Sequence, residues 1–74
     1  MANPNAILHR AVWQDGDDLW RLASRLYLAH AGAGYGTLSD FRDAILTSNP
    51  LIAGTMLARG LAPGSVVLVP MVGQ

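Results

Sequence analysis

The sequence predicts a small α+β fold of order βααβ, with two helices packed on one face of a two-stranded antiparallel sheet. Three observations predict it. Alternating, β-forming stretches stand near both ends of the chain, two stretches with apolar residues at helical spacing lie between them, and turn or cap residues separate all four. At 74 residues the chain holds one domain at most.

The first strand is read from Ile7 to Trp13, which alternates and is rich in β-formers. Gln14-Asp15-Gly16-Asp17-Asp18 is a turn that also starts a helix. Asp17 or Asp18 accepts the free amide hydrogens of the first helical turn, and its charge suits that end of the dipole. Leu19, Leu22, Ala23 and Leu26 recur at helical spacing, which places a helix from about Asp18 to His30. The run Ala31-Gly-Ala-Gly-Tyr-Gly36 breaks it and reads as a flexible connector. Ser39 is expected to cap a second helix with Phe41, Ala44, Ile45 and Leu46 inward, and Asn49-Pro50 to end it. A loop punctuated at Gly54, Gly60 and Pro63-Gly64 leads to a last strand from Ser65 to about Pro70. No internal repeat interrupts this order. The domain is therefore read as residues 7–70, between an N-terminal arm of residues 1–6 and a C-terminal tail of residues 71–74.

Composition narrows the function. Five Arg and five Asp, with no Lys and no Glu, give zero formal charge, which argues against a basic nucleic-acid binder held by phosphate contacts. Charged residues make up 14% of the chain, against about 25% in ordinary domains, and 51% are hydrophobic. A domain this small buries only about 60% of its unfolded surface, so it needs polar residues to cover the rest. This chain is short of them, which points to a surface covered by something else in an assembled state. Without Cys there is no disulfide scaffold, thiolate metal site or cysteine nucleophile. The first nine residues show neither a basic n-region nor an apolar h-region, so no signal peptide is expected. The longest nearly uninterrupted apolar run, Val66 to Val72, is about a third of the length that spans a bilayer. A soluble protein without membrane association is the expectation.

Three motifs then carry a resemblance: Gln14-x-Gly16-Asp17-x-Leu19-Trp20-x-Leu22-Ala23, Asn49-Pro50-Leu51-Ile52, and Leu61-x-Pro63-Gly64-x-x-Val67-Leu68-Val69-Pro70. In this order and spacing, over about residues 11 to 70, the chain resembles a LysM domain. The resemblance implies the same LysM-like βααβ fold. It also implies a glycan groove between the loop after the first strand and the loop after the second helix. Carried onto this chain, that groove is lined by Gly16, Asp17, Asp18, Asn49, Pro50, Leu51 and Ile52.

The wall-binding pattern has Pro and Thr where this chain has Asp15 and Asp18. An acidic rim of that kind disfavours peptidoglycan, which itself carries carboxylates. A second branch is more similar: the short stand-alone LysM-like proteins of phage tails and baseplates, of the tail protein X type. Tyr35-Gly36 and Asn49-Pro50 sit in similar context there. That branch implies a non-catalytic virion structural protein, assembled in the host cytoplasm, that clamps neighbouring tail proteins. Peptidoglycan or another N-acetylglucosamine glycan is the alternative partner.

Surface chemistry points the same way. If Ala11 and Trp13 face the helices, then Leu8, Arg10 and Val12 face away. The last strand is apolar on both faces, with Val66 and Leu68 on one and Val67, Val69 and Met71 on the other, as in strands covered on both sides. Trp20 and Tyr27 share a helix face, where they serve either as the core edge or as interface anchors. The expected protein interface is thus Leu8, Arg10, Val12, Trp20, Tyr27, Val67, Val69 and Met71. Arg21 and Arg25 read as a solvated helix face. The two unpaired sheet edges are further places where a partner strand can add.

Signals for catalysis are weak. Capping explains at least one of Asp15, Asp17 and Asp18. His9 and His30 share no metal-ligand spacing, and Ser24, Ser39 and Ser65 lack a nucleophile-elbow context. The Gly32-Ala-Gly34-Tyr-Gly36 run has neither a preceding strand nor a following Lys, as a phosphate loop would. No enzymatic activity, cofactor or metal is expected.

Overall fold

The computed structural model describes residues 7–72. Its elements are β1 (Ile7–Val12), α1 (Leu19–Ala29), α2 (Leu38–Ser48), α3 (Ala53–Ala58) and β2 (Val66–Met71). The strands form a two-stranded antiparallel sheet, with Ile7 opposite Met71, His9 opposite Val69 and Ala11 opposite Val67. The fold is a small α+β unit of the expected order, with a third short helix added between α2 and β2. The N-terminal arm, residues 1–6, lies outside the described residues, as do residues 73–74 of the tail. Met71 is the last residue of β2 rather than the first of a tail.

Capping sets the ends of α1. Asp18 is its N-cap, with extended backbone and a carboxylate that accepts from the Arg21 N–H at 2.8 Å. At the C-terminus the Gly32 N–H reaches back to the Tyr27 carbonyl at 2.7 Å, which closes the helix through Ala31 in a left-handed conformation (φ 50°). For α2 the cap is Thr37 and not Ser39. The Thr37 backbone is extended and its hydroxyl accepts from the Asp40 N–H at 3.1 Å, which leaves Ser39 exposed in the first turn.

The connector is folded, contrary to the flexible loop expected. Ala31, Gly32, Ala33 and Gly34 all have positive φ, and successive short turns bond Ala33 N–H to His30 and Tyr35 N–H to Gly32. Ala33 is fully buried. Gly34 lies so close to β2 that a Cβ there would stand 2.3 Å from the Val72 Cβ. Only glycine fits that approach.

Nor is α3 a loop. Ile52 and Met56, four residues apart, turn inward, and Met56 is buried in the core. The glycine read as loop punctuation at position 60 is the stop of this helix. Its N–H bonds the Thr55 carbonyl at 2.9 Å, its φ is +78°, and it rests against the buried Trp13 ring. The core itself is Trp13, Leu22, Phe41 and Ile45 packed on Val67, Val69 and Met71.

Candidate functional site

The turn after β1 is held by its own polar groups. The Gln14 N–H donates to Asp17 Oδ2 at 2.9 Å, and the Asp17 N–H donates to the Gln14 carbonyl at 3.0 Å. From nearly two helical turns into α1, Arg25 Nη1 bonds both Asp17 oxygens at 2.9 and 3.0 Å. Its Nη2 donates to the Val12 carbonyl at 3.3 Å. Burial raises the Asp17 pKa. The Arg25 hydrogen bond, the Gln14 amide and the charges of Arg25 and Arg21 outweigh that and hold it below its ordinary value.

This corrects two expectations. Arg25 is partly exposed but acts as a staple from α1 to the end of β1. The acidic rim also shrinks, because Arg25 pairs with Asp17, while Asp18 caps α1 and Asp15 stays exposed.

The second element is Asn49, the C-cap of α2 and a buried residue. Its Nδ2 donates to the Ile45 carbonyl and, at 2.7 Å, to the Leu68 carbonyl, while its Oδ1 accepts from the Leu68 N–H at 2.9 Å. The side-chain amide thus pairs with both backbone groups of Leu68, as a residue of a third strand would. Asn49 was expected in a ligand groove. In the structure it is a clamp, its amide bonded to the chain itself, and it also borders a cavity.

Beside that clamp is a cavity of about 320 Å³, lined by Ser48, Asn49, Pro50, Leu51, Ile52, Val66 and Leu68. It brings together the second half of the expected groove, with Leu51 96% exposed at its rim. Gly16, Asp17 and Asp18, the first half, are not among its lining residues. Most of its lining is apolar, and two of its lining residues, Val66 and Leu68, belong to the sheet face turned away from the helices.

That outer face carries Leu8, Val12 and Val66, exposed by 54%, 53% and 52%, with exposed Arg10 between the two β1 residues. Register decides which expected interface residues belong here. Val67, Val69 and Met71 stand opposite Ala11, His9 and Ile7, on the helix side, and are buried. They are core and not interface, because strand alternation sends them inward with Ala11.

Tyr27 goes with the core edge. Its ring packs against Phe41 at 5.9 Å between centroids and its hydroxyl donates to the Tyr35 carbonyl. Trp20 is 47% exposed and lies under the Arg42 guanidinium, 4.6 Å from the ring centroid, so it ties α1 to α2.

Among the described residues no group of three or more His, Cys, Asp or Glu is placed to hold a metal, and no helix is long and apolar enough to cross a membrane. No family model, curated protein or solved structure matches the chain.

Proposed function

We propose that the chain is a non-catalytic structural adaptor, a LysM-like module that clamps neighbouring proteins in a phage-type tail or baseplate. The observation that carries this reading is the outer sheet face. Leu8, Val12 and Val66 are water-facing apolar side chains on that face, with Arg10 between the first two, and Val66 also lines the apolar cavity that Leu51 borders, on a chain with few charges to spare. Patches of this kind mark protein contacts. The polar groups that would serve chemistry or sugar recognition, Asp17, Asp18 and Asn49, are bonded within the chain. The tail setting rests on the motif resemblance.

The alternative is a LysM module that binds peptidoglycan or another N-acetylglucosamine glycan for cell-wall attachment. Two observations favour it: the cavity exists at Asn49 to Ile52, and Arg25 neutralises the carboxylate expected to repel the wall.

Two experiments separate them. The labelled protein is titrated with N-acetylglucosamine oligomers and wall fragments and followed by NMR. Saturable shifts at Asn49 to Ile52 overturn the adaptor, and an unchanged folded spectrum is expected. Co-expression with the products of the flanking genes is expected to retain a defined partner, and changing Leu8, Val12 and Val66 to Ser is expected to release it while the fold stays intact.

A further inference from the structure

In this two-stranded ladder the odd residues of both strands bond across the sheet, as the Trp13 N–H to Ser65 carbonyl bond of 2.8 Å at its end shows. The even residues turn their N–H and C=O groups outward, to the two edges.

On β2 that edge is closed at three places. Asn49 takes both groups of Leu68, Pro70 has no N–H, and the Val72 N–H bonds the Ala33 carbonyl at 2.8 Å. On β1 the Val12 carbonyl is occupied by Arg25. Among the described residues nothing bonds the N–H or C=O of Leu8 or Arg10 along that edge. Neither Lys nor Pro guards it.

We infer that β1 pairs antiparallel with β1 of a second copy of this chain, through the backbone groups of Leu8 and Arg10, to make a two-fold dimer with a continuous four-stranded sheet. The edge is self-complementary in one register. With Leu8 opposite Arg10 of the second copy, the two residues exchange both bonds, and symmetry repeats them, for four in all. Shifting so that Arg10 meets Arg10 sets two guanidiniums directly opposite and requires the Val12 carbonyl that Arg25 already holds. Shifting the other way leaves Arg10 unpaired against the second β1.

Charge permits the chosen register. The net charge is zero, so copies do not repel at long range. Each Arg10 stem lies between Leu68 of its own chain and Leu8 of the other. The two guanidiniums are then diagonal neighbours, with Cβ atoms roughly 7–8 Å apart. A strand-edge contact is smaller than the roughly 800 Å² per partner of a standard interface, so the dimer forms in the micromolar range or above. The pairing joins the apolar outer faces of both copies and leaves them free, so it stands independently of the adaptor reading.

The test is sedimentation equilibrium of the full chain from micromolar to millimolar concentration. A reversible monomer–dimer equilibrium is expected. Chemical synthesis with the Leu8 nitrogen methylated removes one outward N–H per chain and leaves the ladder to β2 intact. It is expected to weaken the dimer about tenfold or more with an unchanged circular dichroism spectrum. Arg10→Glu mixed with the wild type is expected to give heterodimer above the statistical half at low salt, because the diagonal pair becomes attractive. A wild-type monomer at every concentration overturns the inference and leaves the edge to a strand of another protein. A dimer indifferent to Leu8 methylation places the contact elsewhere. A merely statistical mixture with Arg10→Glu overturns the register.

Discussion

The two edges of the sheet are finished differently. Along β2 and the residue after it, a side-chain amide from the end of α2 takes both groups of Leu68, Pro70 has no N–H to offer, and a carbonyl from the α1–α2 connector takes the Val72 N–H. Along β1, Arg25 reaches the Val12 carbonyl, and among the described residues nothing bonds the outward groups of Leu8 and Arg10. Two polar side chains, Asn49 and Arg25, bond the chain's own backbone at these edges, the first buried and the second partly exposed. Among the described residues, then, the β2 edge is closed at its centre, the β1 edge is open at Leu8 and Arg10, and the exposed Leu8, Val12 and Val66 lie on the face between them.

The largest expected effect comes from breaking the finished edge at its centre. Asn49→Ala strands the Leu68 N–H and C=O and the Ile45 carbonyl without partners, and is expected to cost about 2–4 kcal/mol in urea unfolding. Gly34→Ala attacks the third closure. A Cβ there collides with Val72 at a φ of +90°, so a loss of about 2–3 kcal/mol is expected, with faster exchange at the Val72 amide.

On the open side the staple is more exposed and contributes less. Asp17→Asn is expected to cost about 1–2 kcal/mol at neutral pH, because the Arg25 contact loses its charge. The lowered Asp17 pKa also fixes the sign of the pH dependence. Its stabilisation is complete above the unfolded carboxylate pKa of roughly 3.9, and it is lost as pH falls through the lower folded value. Acid titration of unfolding is expected to show this slope in the wild type and a weaker one in Asp17→Asn. Smallest is the outer face, where Leu8, Val12 and Val66 changed to Ser are each expected to move stability by less than about 0.5 kcal/mol. A large loss there would mean the face is packed rather than free.

Local signals in the sequence carried most of the fold. The bounds of α1 follow from its apolar spacing and from Asp18, and the strand positions follow from alternation. Legibility ended where contacts are long-range or signals compete. Asp17 and Arg25 are eight residues apart across a turn, a spacing with no helical or strand meaning. Asn49 reads as a helix stop, and its pairing with Leu68, nineteen positions on, has no local trace. Gly54 and Gly60 hid α3, because a six-residue helix shows too little periodicity to outweigh two glycines. In β2 the run Val66 to Val69 is apolar at every position, so only the register against β1 reveals that Val67 and Val69 face the core. The expected groove was half legible. Its Asn49 to Ile52 side borders a cavity, while the Gly16 to Asp18 side is committed to the turn.

The contrast between the edges is tested most directly by amide hydrogen exchange, residue by residue, at a concentration low enough to keep the chain monomeric. Slow exchange at Leu68 and Val72, like that of His9 and Ala11 inside the ladder, with fast exchange at Leu8 and Arg10, is the expected result. Fast exchange at Leu68, or protection at Leu8 and Arg10 equal to that of Leu68, would contradict it.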